Sequence, residues 1–319
     1  MSRNVERHLI LVNRPGWQAI EDFEDIKRRI EARAPDIEVF IATTEGPNIS
    51  LRKRAAKRPT LVMCPSALRQ FEPRRGKVYH GRIVSKREQI DRLAALGIPT
   101  PLTALLAPDT KIDPGEWGPY VFLKPESTRY ASKGFGIAVV KTEDLKYRPP
   151  ESFPEGHVGR HTRFIVQQFI DTGTHAIHFR VNTLFDRPLY CTRTKLLEPR
   201  PVLEGLVSEV WDTRFASNSR SIKNSKTFCF ESDVLELARR CHDAVPDTPV
   251  KGVDILREAS TGKLFALELN CGSPTWHISS KFFDKHRPEE LSRAEMESQF
   301  GAFDRAAEVL IERTREEAI

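Results

Sequence analysis

Apolar positions along this chain fall into two patterns: short unbroken runs, and stretches in which they recur every three or four residues. Residues 8–13 (HLILVN) form a run closed by Pro15 and Gly16, which predicts a buried strand. Residues 18–34 place Ile20, Phe23, Ile26, Ile30 and Ala34 at three- and four-residue steps, the stripe of an amphipathic helix. Residues 37–42 and 60–64 (TLVMC) are further strands, the second ended by Pro65. Strand–helix–strand at this spacing predicts a parallel, doubly wound sheet. Residues 78–84 read as another strand. Ser85 precedes a helix over 86–96, with Glu88 at capping-box spacing, and Gly97 ends it. The IPTP of residues 98–101 then forces an extended connector, so a domain boundary is placed over 101–118.

Beyond the boundary, residues 120–124 (YVFLK) predict a strand ending in Lys124 and Pro125. A polar, glycine-containing loop (ESTRYASKGFG) leads to a strand over 137–140. Residues 163–170 (RFIVQQFI) form a strand running into DTGTH. Residues 177–184 and 188–194 pair as a hairpin around 185–187, with Arg180 and Arg193 projecting from it. Residues 213–226 are polar and basic and read as a loop. A helix over 233–244 turns Val234, Leu237, Ala238 and Cys241 inward, and a last helix over 302–317 presents Phe303, Ala306, Val309 and Leu310 on one face.

Residues 250–278 read as a β-hairpin with an unusual polar pattern. Asp254 stands alone among apolar residues on its first strand. Glu268 and Asn270, two apart on the return strand, share one face. Two carboxylates and an amide oxygen on one patch make an oxygen-only cluster, the donor set that suits Mg²⁺ or Mn²⁺. The same three residues also fit the wet face of an ordinary hairpin.

Composition narrows the class. The 319 residues are 39% hydrophobic and 29% charged, as in a soluble globular chain, and no apolar run is long enough to span a bilayer. Nothing at the N-terminus reads as a secretory signal. The 5 cysteines are widely spaced without a CxxC pair, which argues against a disulfide framework or a zinc site and makes a reducing cytoplasm the expected compartment. The net charge of +6 is concentrated at 27–33, 52–58 and 74–77. These clusters lack interleaved aromatics and belong to no nucleic-acid module, so an anionic substrate or acidic partner is expected rather than DNA or RNA. No GxGxxG follows the first strand, so no dinucleotide fingerprint is present.

The order of these motifs resembles the ATP-grasp superfamily: a strand ending in Lys-Pro, a glycine loop, VQQFI, an arginine-bearing hairpin, an Asn-containing basic loop, GVDI and then ELN. The resemblance covers residues 78–280. It implies an α/β and α+β chain: an N-terminal Rossmann-like lobe over 1–101, a small lid subdomain over 102–175 and a C-terminal subdomain with the metal site over 176–319. By the same resemblance Lys124 contacts the nucleotide's α- and β-phosphates. Ser132, Lys133, Gly134 and Gly136 form the loop that closes over them. Gln167, Gln168, Phe169 and Ile170 form the hinge that reads adenine, with glutamines where most members carry Glu. Asp171, Thr174 and His175 are the ribose candidates. Asp254, Glu268 and Asn270 hold two Mg²⁺ or Mn²⁺ ions. Arg180, Arg193 and Arg220 face the phosphates or the acyl substrate, with Lys195 as a spare. Asn218 matches a family Asn, although the Gly-Gly that often follows it is missing.

The implied activity is ATP-dependent joining of a carboxylate to an amine through an acyl phosphate, with an amino acid or peptide as substrate. A homodimer is common among members. The alternatives are a kinase of the same fold acting on a hydroxyl, or a nucleotide-binding module without catalysis.

Overall fold

The computed structural model describes residues 5–68, 70–126, 136–205, 209–216, 223–272, 276 and 291–319. The chain begins β1 (Arg7–Asn13), α1 (Ile20–Arg33), β2 (Ile37–Thr43), α2 (Ile49–Ala55), β3 (Thr60–Cys64), β4 (Lys77–His80). These strands form a parallel sheet in the order β2-β1-β3-β4. The doubly wound reading therefore holds, with the short α2 as an addition. The fourth strand stops at His80 because Gly81 turns the chain. A Cβ there would lie 2.6 Å from both the Pro65 carbonyl oxygen and the Gly272 Cα, so only glycine fits.

Helix α3 (Lys86–Ala95) starts where the sequence places it. The Ser85 side chain accepts the Glu88 amide, but the Glu88 carboxylate pairs with Arg92 at 2.7 Å. A second sheet follows: β5 (Thr103–Leu105), then α4 (Pro114–Trp117), β6 (Tyr120–Pro125), β7 (Ala138–Lys141) and β8 (Phe164–Gln168), antiparallel in the order β5-β8-β6-β7. The third sheet contains β9 (Ile177–Leu184), β10 (Arg187–Leu196), β11 (Asn224–Phe228), β12 (Val250–Arg257) and β13 (Leu264–Cys271). Its order is β11-β10-β9-β12-β13, again antiparallel. Helix α5 (Ser232–Arg240) lies between β11 and β12, and α6 (Arg293–Ser298) and α7 (Ala302–Glu317) close the chain.

The sequence reads β11 as a loop because it is an edge strand whose NSKTF lacks the apolar alternation of a half-buried strand. One face of the third sheet is apolar: Phe179, Val181, Cys191, Val253, Ile255, Ala266 and Leu269 share a core with Val234 and Leu237 of α5 and Leu93 of α3. The other face is polar and is treated below.

Helix α7 returns to the first sheet. Its Phe303, Ala306, Ala307 and Leu310 share a core with Phe23, Ile26 and Ile30 of α1. Arg29 binds Asp304 at 2.7 Å, and Arg33 pairs with the same carboxylate. The basic run at 27–33 is thus largely neutralised within the chain.

Candidate active site

Antiparallel pairing puts directly opposed side chains on the same side of a sheet, so the register of the third sheet fixes which polar residues meet. Thr192, Arg180, Asp254 and Glu268 form one row across β10, β9, β12 and β13, and Tyr190, Asn182, Gly252 and Asn270 form the next. The hairpin pairs as the alternation predicts, with one addition. The register slips after Asp254, so that Ile255 faces Ala266 and Leu267 is the extra residue of a bulge. Leu267 and Glu268, although adjacent, both line the same cleft.

That cleft encloses ≈ 940 Å³ out to its open mouth, between this polar floor and the second sheet. Its apolar part comes from Phe122, Ile137, Phe169, Phe215, Leu256 and Leu267. Phe122 and Phe169 lie 5.1 Å apart between ring centroids, and Phe215 meets both edge-on. A flat heteroaromatic ring suits such a slot. Its charged part comes from Lys86, Lys124, Arg200, Asp254 and Glu268. Lys124, at the end of β6, donates to the Gln167 Oε1 at 2.6 Å. Lys86, in the first turn of α3, reaches Glu268 at 3.7 Å.

Asp254 is the centre of the charge network. Arg180 grips it with both arms, Nε to Oδ1 at 2.7 Å and an Nη to Oδ2 at 2.6 Å, while Asn270 Nδ2 donates to Oδ2 at 3.0 Å. Burial alone would raise its carboxyl, but Arg180 and then Asn270 hold it below the usual range. Burial pulls the Arg180 guanidinium down, and Asp254 more than reverses that. Burial and the neighbouring Lys86 depress Lys124 to about 7, with Glu268 and Asp254 only partly opposing. Burial keeps His178, which also lines the cleft, neutral at about 4.

The oxygen cluster suits a hard divalent cation in part. Glu268 is partly accessible, and the Asn270 amide nitrogen donates to Asp254 and to the Gly252 carbonyl, which leaves its oxygen as the atom that would face a cation. Asp254 Oδ2 already accepts two N–H groups, whereas Oδ1 accepts one and retains a lone pair. Among the described residues no three His, Cys, Asp or Glu side chains form a metal cluster, so the amide oxygen is essential to the set.

Several sequence expectations change position. Arg193 is exposed and opposes Phe179, so it lies on the helix-covered side of the sheet, away from Arg180 and the cleft. A one-residue difference in parity decides this. Gln167 spends its side-chain amide on Lys124 and, through Nε2, on Thr103 at 3.0 Å, so its side chain holds the lysine. Gln167, Gln168, Phe169 and Ile170 all line the cleft. Thr174 is exposed and outside the lining, where Thr172 stands instead. Asp171 is held by Arg200 at 2.9 Å to each oxygen. Gly136 has φ +68, and a Cβ there would meet Val158 at 2.7 Å, so packing and backbone demand it. Ser132, Lys133, Gly134, Asn218 and Arg220 lie outside the described residues.

Sequence reasoning missed Lys86, His178 and Arg200. Arg200 lines the cleft, stacks on Phe169 at 5.5 Å and bonds the Gly173 carbonyl, so it fixes the segment after β8. It stands in a proline-flanked stretch (EPRP) that has no periodicity, and nothing in its neighbourhood signals the contact. Lys86 reads only as a helix-start residue.

No protein-family model and no curated protein sequence matches this chain. Among solved structures it is similar to the ATP-grasp ligase PsnB complexed with minimal precursor, at 14% identity and a TM-score of 0.50, over 97% of this chain and 100% of that one. It is also similar to a D-alanine–D-alanine ligase from Bacillus anthracis (11% identity, TM-score 0.47, 97% of each chain). A third likeness is to the D-cycloserine synthetase DcsG (14%, 0.46, 95% of this chain and 99% of that one).

Proposed function

For a chain with the ATP-grasp fold, we propose ATP-dependent ligation of a carboxylate to an amine through an acyl phosphate, with release of ADP and phosphate. The observation that carries the reading is the convergence of Lys86, Lys124, Asp254 and Glu268 on one cleft that also has an aromatic slot. A slot for a flat ring beside paired lysines and carboxylates matches a purine nucleotide with its phosphates.

In this reading the backbone and apolar side chains of Gln168, Phe169 and Ile170 seat the adenine, with Arg200 keeping that segment in place. Lys124 and Lys86 hold phosphate oxygens. Glu268, Asn270 and the free lone pair of Asp254 would hold Mg²⁺ or Mn²⁺, two ions in the full site. Bound there, the ions supply charge neutralisation and Lewis acidity at the phosphoryl oxygens. Arg180 keeps Asp254 ionised and oriented, so its task is positioning. The protein forms no covalent bond of its own: it aligns a substrate carboxylate with the γ-phosphorus and excludes water from the acyl phosphate. An amino acid or a peptide supplies the carboxylate and the amine.

The test is ADP release against pooled carboxylates and amines, followed by mass spectrometry. The reading expects ADP formation that requires both partners, with a product whose mass is their sum less the elements of water. A phosphorylated product from one hydroxyl substrate would establish the kinase alternative. Nucleotide binding without turnover under any pairing would leave a non-catalytic module.

A further inference from the structure

The two sides of the charged cleft are unequally explained. On the β13 side, Glu268 is flanked by Lys86 and Lys124. On the opposite side of the floor two of the three arginines expected from sequence are otherwise placed, Arg193 facing away and Arg180 committed to Asp254, and Arg220 lies outside the described residues. The edge strand β11 supplies another cation. Lys226 opposes Thr194, and Thr194 opposes His178, which lines the cleft. Directly opposed residues share a face, so Lys226 stands on the site face of the floor, in the row beside Arg180 and Asp254.

We propose that Lys226 is a further catalytic residue, one that binds the γ-phosphoryl group of the nucleotide and then the acyl phosphate, from the edge of the floor opposite Glu268. The assignment rests on the ligase reading above and names the group that handles its transferred phosphate. Two features support it. Lys226 is half-buried, and desolvation together with Arg180 pulls its ammonium down to about 8 against the attraction of Asp254. It is therefore a poorly hydrated cation close to the central carboxylate, the kind that gains most from a phosphate oxygen. It also stands on β11, the edge strand opposite β13, whose Glu268 faces Lys86.

The chemistry asked of it is electrostatic. A substrate carboxylate oxygen attacks the γ-phosphorus, and the bond to the β–γ bridging oxygen breaks with its electron pair leaving on ADP. The amine nitrogen then attacks the acyl carbon, the C–O bond to phosphate breaks with its pair leaving on phosphate, and the nitrogen loses a proton to solvent. Lys226 neutralises the phosphoryl oxygens in both steps and transfers no proton.

The experiment needs no knowledge of the substrate. Calorimetry would compare Mg–ADP with the Mg complex of the imido analogue of ATP, on the wild-type chain and on Lys226→Met, Lys226→Arg and Lys124→Met. The proposal expects Lys226→Met to lose about tenfold or more in affinity for the triphosphate analogue while ADP stays within about twofold. Lys226→Arg recovers most of that loss, and Lys124→Met weakens both ligands. Retained ADP binding serves as the check that the variant is folded. No loss in Lys226→Met, or an equal loss for both ligands, overturns the assignment and leaves the nucleotide site standing. A wild-type chain that binds neither ligand overturns the nucleotide reading, and this assignment with it.

Discussion

Lys124 offers the sharpest quantitative test of the site. Its ammonium lies against Gln167, near Lys86, Glu268 and Asp254, and burial with Lys86 brings it to about 7 in the free protein. Phosphate binds the protonated form. A bound di- or triphosphate therefore returns the lysine toward its ordinary value, and nucleotide binding takes up a proton. The sign follows: below about pH 6 nearly every molecule is already protonated and affinity is flat. Above 7 the competent fraction falls about tenfold per unit, so ADP should bind roughly 15-fold more weakly at pH 8.5 than at pH 7. Calorimetry in two buffers of different ionisation heat would show uptake of about half a proton per ADP at pH 7. Lys124→Met should bind more weakly and lose the slope. Lys86→Met should move the slope to higher pH, because Lys86 is one of the two causes of the depression. A flat wild-type profile between pH 6 and 8.5, or the same slope in Lys124→Met, would refute the reasoning.

Three further outcomes follow from the geometry. Glu268→Gln should reduce ADP release by about a hundredfold or more, whereas Arg193→Ala, on the far side of the sheet, should change it by less than about twofold; steady-state rates at saturating ATP separate the two. Gly81→Ala should cost about 2–3 kcal/mol in urea unfolding, because its Cβ would be forced against the Pro65 carbonyl and the Gly272 backbone, neither of which can swing aside. Lys251 is fully buried, bonded to the Thr248 carbonyl and to His242 Nδ1 at 2.8 Å, and burial depresses it to about 8. Between about pH 8 and 10.5 the unfolded chain binds more protons at this residue than the folded one, so its contribution to stability rises with pH there. Below about 8 both forms are protonated and the dependence ends. In denaturant titrations the stability of the wild type relative to Lys251→Met should rise across that window, because the difference isolates this lysine from the buried thiols and the other depressed lysines that titrate there too.

The legible part of this protein was the part written locally. Runs such as residues 8–13 and the three-and-four spacing of Phe23, Ile26, Ile30 and Ala34 depend on which side of one element is buried, and each appears as read, whereas Ile20 at the start of the helix is exposed. The metal-ligand candidates were legible for a related reason. Alternation put Glu268 and Asn270 on one face, and a short turn put Asp254 opposite them; the register bears out that meeting. What the sequence could not determine was the pairing between distant strands. Arg180 and Arg193 look alike in a hairpin, and only the register with β12 gives one the carboxylate of Asp254 and turns the other away. Lys86, His178 and Arg200 reach the cleft from three separate segments, Lys226 shares the site face of the floor from a fourth, and none carries a local signature. Local side-chain chemistry thus determined which residues can bind phosphate and metal. The long-range pairing of the sheet decided which of them face one another, because a shift of one residue moves a side chain to the opposite face.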